Sequence, residues 1–522
     1  MHQLVRAAWD PIFNVWTSTP QERPTWEAFS AEYGPEIEAL RVDQRLAKLT
    51  VDDLRDVIKD KRASMVGGLN SWQMAEIKLL PPELLQLAVE IFDLAETGAG
   101  WPEAINVCIS PLIPKASDEG GPTGLRPIAL MSVWYSVWSS ARFRATKAWQ
   151  AQALPAHLAG GRSRREAGDA FYDTALAVEA AALDIPAQSD MLLAFGDRQK
   201  CFDRLLPEVL LPLLVAVGID PRLATALAAL YAGLRRLWRL GRFVGEPWKP
   251  GNGCLQGCAL TVLLCNVLFA IWVLRLRHVA PAVTPSTFLD DCSFRAALSD
   301  RDEYRLAWVE TVKFDRFSGQ ALHMKKTVVG GTSADARAAA LAVAPPGVKL
   351  VQEVKTLGVD QSLIRAKRVA TAAGRAEKAI TTAFRVSKLP FDHETRGLYL
   401  ASKATAALCW GSCVTCPPAD ALGRADTQFK IAVWGSKRAL ASPEIIRSIL
   451  RKGHSTHPRS ALVYTAIRDV RRLLSPRRDW WPLLEAIWEK RRADRARHIP
   501  GPVARLLDCL ERLGWETDSP WI

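Results

Sequence analysis

Two stretches of this sequence place carboxylates where chemistry could use them. Phe288-Leu289-Asp290-Asp291 closes a short apolar, Pro/Ser-punctuated run (Ala282 to Thr287) and is followed at once by Cys292-Ser293-Phe294. Adjacent carboxylates between apolar residues are costly to bury unless they are paired or hold a cation. A strand–turn–strand hairpin would carry the pair to an exposed tip aimed into a cleft. Taken alone, Asp-Asp also reads as an ordinary surface turn. Asp197 shifts the balance, because it too ends an apolar run, Met191 to Gly196. Two strand-end acidic sites far apart in sequence are what a two-metal phosphoryl-transfer centre needs, with divalent ions roughly 3.5–4 Å apart clamping the attacking and leaving oxygens.

Several elements must position these carboxylates. Asp203 follows Asp197 by six residues, around the apolar pair Cys201-Phe202. Gly251-Asn252-Gly253-Cys254-Leu255-Gln256-Gly257 is a Gly-rich loop that opens a long apolar helix; backbone can approach a ligand closely at such glycines, and free N–H groups at a helix start favour phosphate. Ile105 to Lys115 alternates and is β-branched, which predicts a strand, and a Gly/Ser/Asp loop from Ala116 to Gly124 leads to Arg126-Pro127-Ile128. Residues 1–95 read as helical, with breaks at Thr19-Pro20, Arg23-Pro24 and Gly34-Pro35 and a helix capped near Asn70 or Ser71. Pro82 starts a further helix. A short hairpin is expected over 351–359 and a long helical stretch over 364–387.

The chain has 522 residues, too many for one core, so two to four domains or lobes are expected. Its 49% apolar and 24% charged residues describe a folded protein and exclude a disordered one. A net charge of +13 favours a polyanionic partner, nucleic acid first. Ten scattered cysteines, several in apolar surroundings, fit a reducing compartment. No secretory signal is visible at the start. The apolar run from Ala259 to Leu274 is shorter than a membrane span needs, contains Asn266 and ends in Arg275 and Arg277, so it reads as a buried core helix.

The order of these motifs resembles the reverse transcriptases of non-LTR (LINE-like) retrotransposons, over roughly residues 65–360. The upstream signature is similar to Gly67-Gly68-Leu69-Asn70-Ser71-Trp72 with Glu76 to Pro81, and the fingers motif to Leu112-Ile113-Pro114-Lys115 with Arg126-Pro127-Ile128. The first palm motif resembles Asp197 to Asp203, the Gln-Gly motif Gln256-Gly257, the aromatic-x-Asp-Asp motif Phe288 to Asp291, and a downstream motif Ser318 to Thr327. Cys201 stands where that family usually has Ala, Thr261-Val262 for Ser-Pro, Gln320 for Leu and His323 for Asn; none of these removes a metal ligand.

The resemblance implies an α+β right-hand polymerase: fingers, a palm with an antiparallel sheet, a helical thumb, and helical N- and C-terminal extensions. Its segments would be an N-terminal extension (1–95), fingers and palm (96–345), a thumb-like region (346–430) and a basic C-terminal region (431–522). It implies attack of a DNA primer 3′-hydroxyl on a dNTP, templated by RNA. Asp197 and Asp290 would hold two Mg²⁺ ions, or Mn²⁺, with Asp291 a ligand or a partner of one. Lys115 and Arg126 would pair with the triphosphate, or be solvated loop charges. Phe202 would exclude a ribose 2′-hydroxyl, or pack in the core. Gln256 and Gly257 would contact the nucleotide sugar and base-pair backbone, and Lys326 would protonate or attract pyrophosphate.

Arg471, Arg472, Arg477, Arg478, Trp480, Trp481, Trp488, Lys490, Arg491, Arg492, Arg495 and Arg497 interleave base and aromatic in the tail. They suit phosphate pairing and base stacking, or a helical lobe with a solvated face. Cys409, Cys413 and Cys416 lack a fourth zinc ligand at sensible spacing and read as packing cysteines. Competing readings are an RNA-dependent RNA polymerase or intron-encoded relative on the same palm, and a catalytically inactive nucleic-acid-binding or maturase-like remnant. The expected setting is intracellular, nucleus or cytoplasm, with no membrane partner.

Overall fold

The computed structural model describes residues 2–65, 67–114, 120–185, 190–364, 369–435, 442–450, 453–493 and 500–520. Among them helices predominate, with strands β1 (Val107–Pro114), β2 (Leu125–Pro127), β3 (Met191–Gly196), β4 (Arg235–Leu240), β5 (Phe243–Val244), β6 (Thr284–Phe288), β7 (Asp291–Ala297), β8 (Val328–Gly331), β9 (Lys349–Leu350), β10 (Glu353–Thr356) and β11 (Val359–Ser362). The chain forms two compact units, each built from separated segments. The first takes residues 1–165, 196–293 and 305–326; the second takes 166–195, 294–304 and 327–522.

The first unit is centred on the helix Ala259–Val279. It is apolar on every face, so only burial suits it, and residues from Leu260 to Leu276 are largely inaccessible. Among the described residues it is the one helix long and apolar enough to cross a membrane, and most of it is buried inside the chain. Downstream residues cover part of it: Trp272 Nε1 donates to Thr311 Oγ1 at 3.1 Å, and Arg275 pairs with Glu310 at 2.9 Å. The helices Pro82–Glu96 and Val133–Ala145 are tied by a buried pair, Glu96 and Arg142, with Trp138 Nε1 donating to the same carboxylate at 2.8 Å.

A four-stranded sheet, ordered β2-β1-β4-β5, lies in this unit. β1 pairs antiparallel with β2, Ile113 opposite Arg126, and parallel with β4, Val107 opposite Arg235. An aromatic cluster of Trp9, Phe13, Trp238 and Trp248 belongs to the same unit.

In the second unit β3 pairs antiparallel with β8, while β8 pairs parallel with β9. The expected antiparallel sheet is therefore mixed. A parallel neighbour requires a crossover, and the helix Ala334–Val343 between β8 and β9 supplies one. β10 and β11 form a hairpin over 353–362, shifted past the expected 351–359, because the turn falls at Leu357 and Gly358, which both take positive φ (49° and 80°) as a two-residue turn of matching twist requires.

Three local expectations need correcting. Gly34-Pro35 does not end a helix; the helix Trp26–Leu40 runs through it with a kink at Tyr33. The helix after the Gly67-Gly68 loop begins at Met74, not near Asn70. Ser71 is left-handed (φ 61°), and the Asn70 amide donates to Ser132 Oγ at 2.7 Å instead of capping. In the tail, Trp480 and Trp488 are buried, Trp480 stacking on Tyr172 at 5.7 Å, so neither offers a face to a base. Arg491 is committed to Glu179, and Arg472 to Glu166 and Asp169. Amphipathic packing claimed these residues because their aromatic neighbours fall on the inner face. Arg495 and Arg497 lie outside the described residues. Cys409 and Cys413 are buried thiols, pushed up by burial to about 11 and about 12, as packing cysteines should be.

Candidate active site

The site assembles within the first unit. β6 ends at Phe288 and β7 begins at Asp291, so Leu289 and Asp290 form the hairpin tip. Leu289 is left-handed (φ 57°), a conformation that costs an L-residue roughly 1–2 kcal/mol. The tip is strapped by residues 157–160. Thr287 N donates to His157 O at 3.0 Å, Ala159 N donates to Thr287 O at 3.0 Å, and Thr287 Oγ1 donates to Leu289 O at 2.8 Å. A Cβ on Gly160 would lie 2.7 Å from Leu289 Cγ, so that glycine lets the strap lie against the tip.

Asp197 follows Gly196 and enters a sharp bend. His323 N donates to Asp197 O at 2.7 Å, and Gln199 N to Ala321 O at 2.8 Å, binding the bend to the segment that carries Lys326. Lys326 Nζ lies 3.9 Å from Asp197 Oδ2. Gly196 meets the start of β7. Cys292 Sγ is 3.5 Å from Gly196 O, and a Cβ on Gly196 would fall 2.8 Å from that sulfur. The two acidic stretches thus adjoin across a contact that only glycine permits.

Electrostatics follow from this. Burial raises the Asp290 carboxyl, and the charge of Asp197 adds to it; Arg198 and Arg126 pull the other way. Burial and then the charges of Asp290 and Asp197 raise Asp291 to about 7. Among the described residues no group of three or more His, Cys, Asp or Glu side chains is assembled as a metal cage. Mg²⁺ is seldom held by such a cage; it is bound by one or two carboxylates with water and substrate phosphate. A half-buried concentration of hard carboxylate oxygens is a donor set that suits that ion.

Behind the carboxylates sits a residue that sequence reasoning missed. Arg198 is buried, its Nε donates to Asp315 Oδ1 at 3.0 Å, and its guanidinium lies 4.4 Å from the Phe269 ring centre. An arginine directly after an apolar strand and a carboxylate was the available signal, but its partner lies 117 residues away.

The Gly-rich loop is stapled to the turn after Asp197. Gln256 Nε2 lies 2.9 Å from both oxygens of Asp203, Cys254 N donates to Phe202 O at 2.8 Å, and Asn252 Nδ2 to Asp203 O at 2.7 Å. The Gln256 amide is thus held by Asp203, while Ala129 N donates to Gln256 O at 2.9 Å and brings the strand of Arg126 alongside. Gly257 is left-handed (φ 106°). Arg126 is exposed, and Phe202 is half-buried in the short helix Cys201–Arg204. Asp197, Asp290, Asp291, Lys326, Arg126, Phe202, Gln256 and Gly257 all belong to one unit. Lys115 lies outside the described residues.

No family model matches the chain, and no curated protein matches it. Among solved structures, a telomerase from Candida tropicalis in complex with a TWJ fragment of telomeric RNA is similar, with a TM-score of 0.40 and 12% identity over 82% of this chain and 67% of that one. A likeness that slight decides nothing about this chain.

Proposed function

We propose that this chain is an RNA-directed DNA polymerase of the non-LTR retroelement kind, adding dNTPs to a primer 3′-hydroxyl. One observation carries the reading: Asp197, far in sequence from the Asp290-Asp291 pair, lies close enough for its charge to raise both of those carboxyls, and Lys326 Nζ stands 3.9 Å from Asp197 Oδ2. The motif order read from the sequence adds to it.

Asp197 and Asp290 would hold two Mg²⁺ ions, with Asp291 a third ligand or a partner of one. Bound there, the ions lower the charge on the attacking and leaving oxygens. The chain's own residues do the rest. Arg126, exposed on the short strand β2, would pair with the triphosphate through its planar fork, with Lys115 nearby in sequence. Phe202 would fill the space a ribose 2′-hydroxyl needs. Gln256, fixed by Asp203, would position the loop on which Gly257 lets backbone approach the nucleotide. Lys326 would draw off pyrophosphate, by charge or by giving it a proton. RNA template and DNA primer are the partners this chemistry requires.

The test is primer extension on an RNA template. Wild-type protein should incorporate dNTPs in preference to NTPs. Asp197→Asn should abolish extension while leaving thermal stability intact. Extension at an unchanged rate by Asp197→Asn overturns the assignment. RNA binding without extension by the wild type would make the chain an inactive binding protein.

A further inference from the structure

The helix Pro82–Glu96 is covered on one side only. Leu85, Ala88, Val89, Phe92 and Ala95 are buried, yet Leu84, Leu87, Ile91 and Leu94 are 46%, 53%, 41% and 56% exposed. Single exposed leucines are ordinary, but four in register are not. Their spacing of three, four and three residues sets them in one stripe, roughly 80° wide at about 100° per residue. That stripe borders the buried face, so the apolar arc of this helix is wider than the chain itself covers. Three–four spacing is the pattern by which one helix presents side chains to another.

Charge selects the kind of helix. From Leu79 to Pro114 the chain carries Glu83, Glu90, Asp93, Glu96 and Glu103 and no Lys or Arg, in a protein of net charge +13. Asp93 is paired with Lys48 and Arg222, and Glu96 with Arg142. Glu83 and Glu90 are exposed, seven residues apart, along the outer edge of the stripe. An acidic edge repels a phosphate backbone, so nucleic acid does not suit this face. A second copy docking on the same face would set Glu83 and Glu90 near their own counterparts. A helix with an apolar seam and Lys or Arg beside it satisfies both the stripe and its edge.

We propose that Leu84, Leu87, Ile91 and Leu94, edged by Glu83 and Glu90, form a docking surface for a basic amphipathic helix of a partner protein. The surface stands independently of the polymerase reading.

The test uses the full chain and a labelled three-heptad peptide with Leu at every a and d position and Lys at every e and g, read by fluorescence anisotropy. The peptide should bind, and the same peptide with Glu at e and g should not. Leu87→Gln with Ile91→Gln should weaken binding at least about tenfold without lowering Tm, since both side chains already face solvent. Glu83→Gln with Glu90→Gln should weaken it several-fold and flatten its salt dependence. Peptide binding that the Leu87/Ile91 variant leaves unmoved overturns the proposal. So does self-association in sedimentation that the same variant abolishes, which would make the occupant a second copy. Loss of RNA binding in that variant, with peptide binding intact, would give the face to nucleic acid.

Discussion

Asp291 holds its proton to about 7 because burial and two neighbouring carboxylates oppose its charge. In an unfolded chain the same group ionises near 3.9. Between those values the folded protein binds more protons, so this contribution to stability is complete below about pH 3.9 and is lost as pH rises to about 7. Asp291→Asn should therefore stabilise the metal-free protein at pH 8, by roughly 1–3 kcal/mol after allowing for solvent contact, and by almost nothing at pH 4. Urea melts at the two pH values check this; equal shifts at both would refute it. The acidic residues of the site were legible because each ends an apolar run, a pattern local to its own segment. Arg198 was not, since nothing near it in sequence announces Asp315 or the rings of Phe269 and Phe314.

Elements were legible wherever a local rule governs them. Pro82 starts its helix, and the turn after Phe288 closes its hairpin. The parallel pairing of β1 with β4 and the true start of the helix at Met74 were not, because strand neighbours and competing side-chain bonds are long-range facts. The tie between the helices Pro82–Glu96 and Val133–Ala145 is likewise long-range and makes a stability prediction. Arg142→Ala would leave the buried Glu96 carboxylate with Arg222, at 3.1 Å, as its remaining cation and should cost about 3 kcal/mol in denaturant unfolding. Replacing both partners together, Arg142→Met with Glu96→Leu, should recover most of that loss; a double variant as weak as the single one would show that the charge is not the cause.

At the scale of the whole molecule, the charge of +13 was plain from composition, but its distribution was not. The tail expected to stack bases spends its tryptophans on packing and several of its arginines on carboxylates. Binding of an RNA oligomer should still rest on released counterions, weakening at least about tenfold between 50 and 200 mM salt in a filter-binding titration. Absence of RNA binding even at 50 mM salt would remove nucleic acid from the expected partners. The interleaving of the two units also lies beyond local pattern, because segments separated by more than a hundred residues close the first one. That closure sets a schedule for synthesis. The apolar helix Ala259–Val279 is finished 47 residues before Lys326 completes its unit (326 minus 279), and Glu310, Thr311 and Phe314, which cover part of it, arrive within that interval. At about 5–20 residues per second the ribosome needs roughly 2–10 s to make them. For those seconds this long apolar helix waits half-clothed, with surface of the kind that chaperones shelter until the chain can cover it itself.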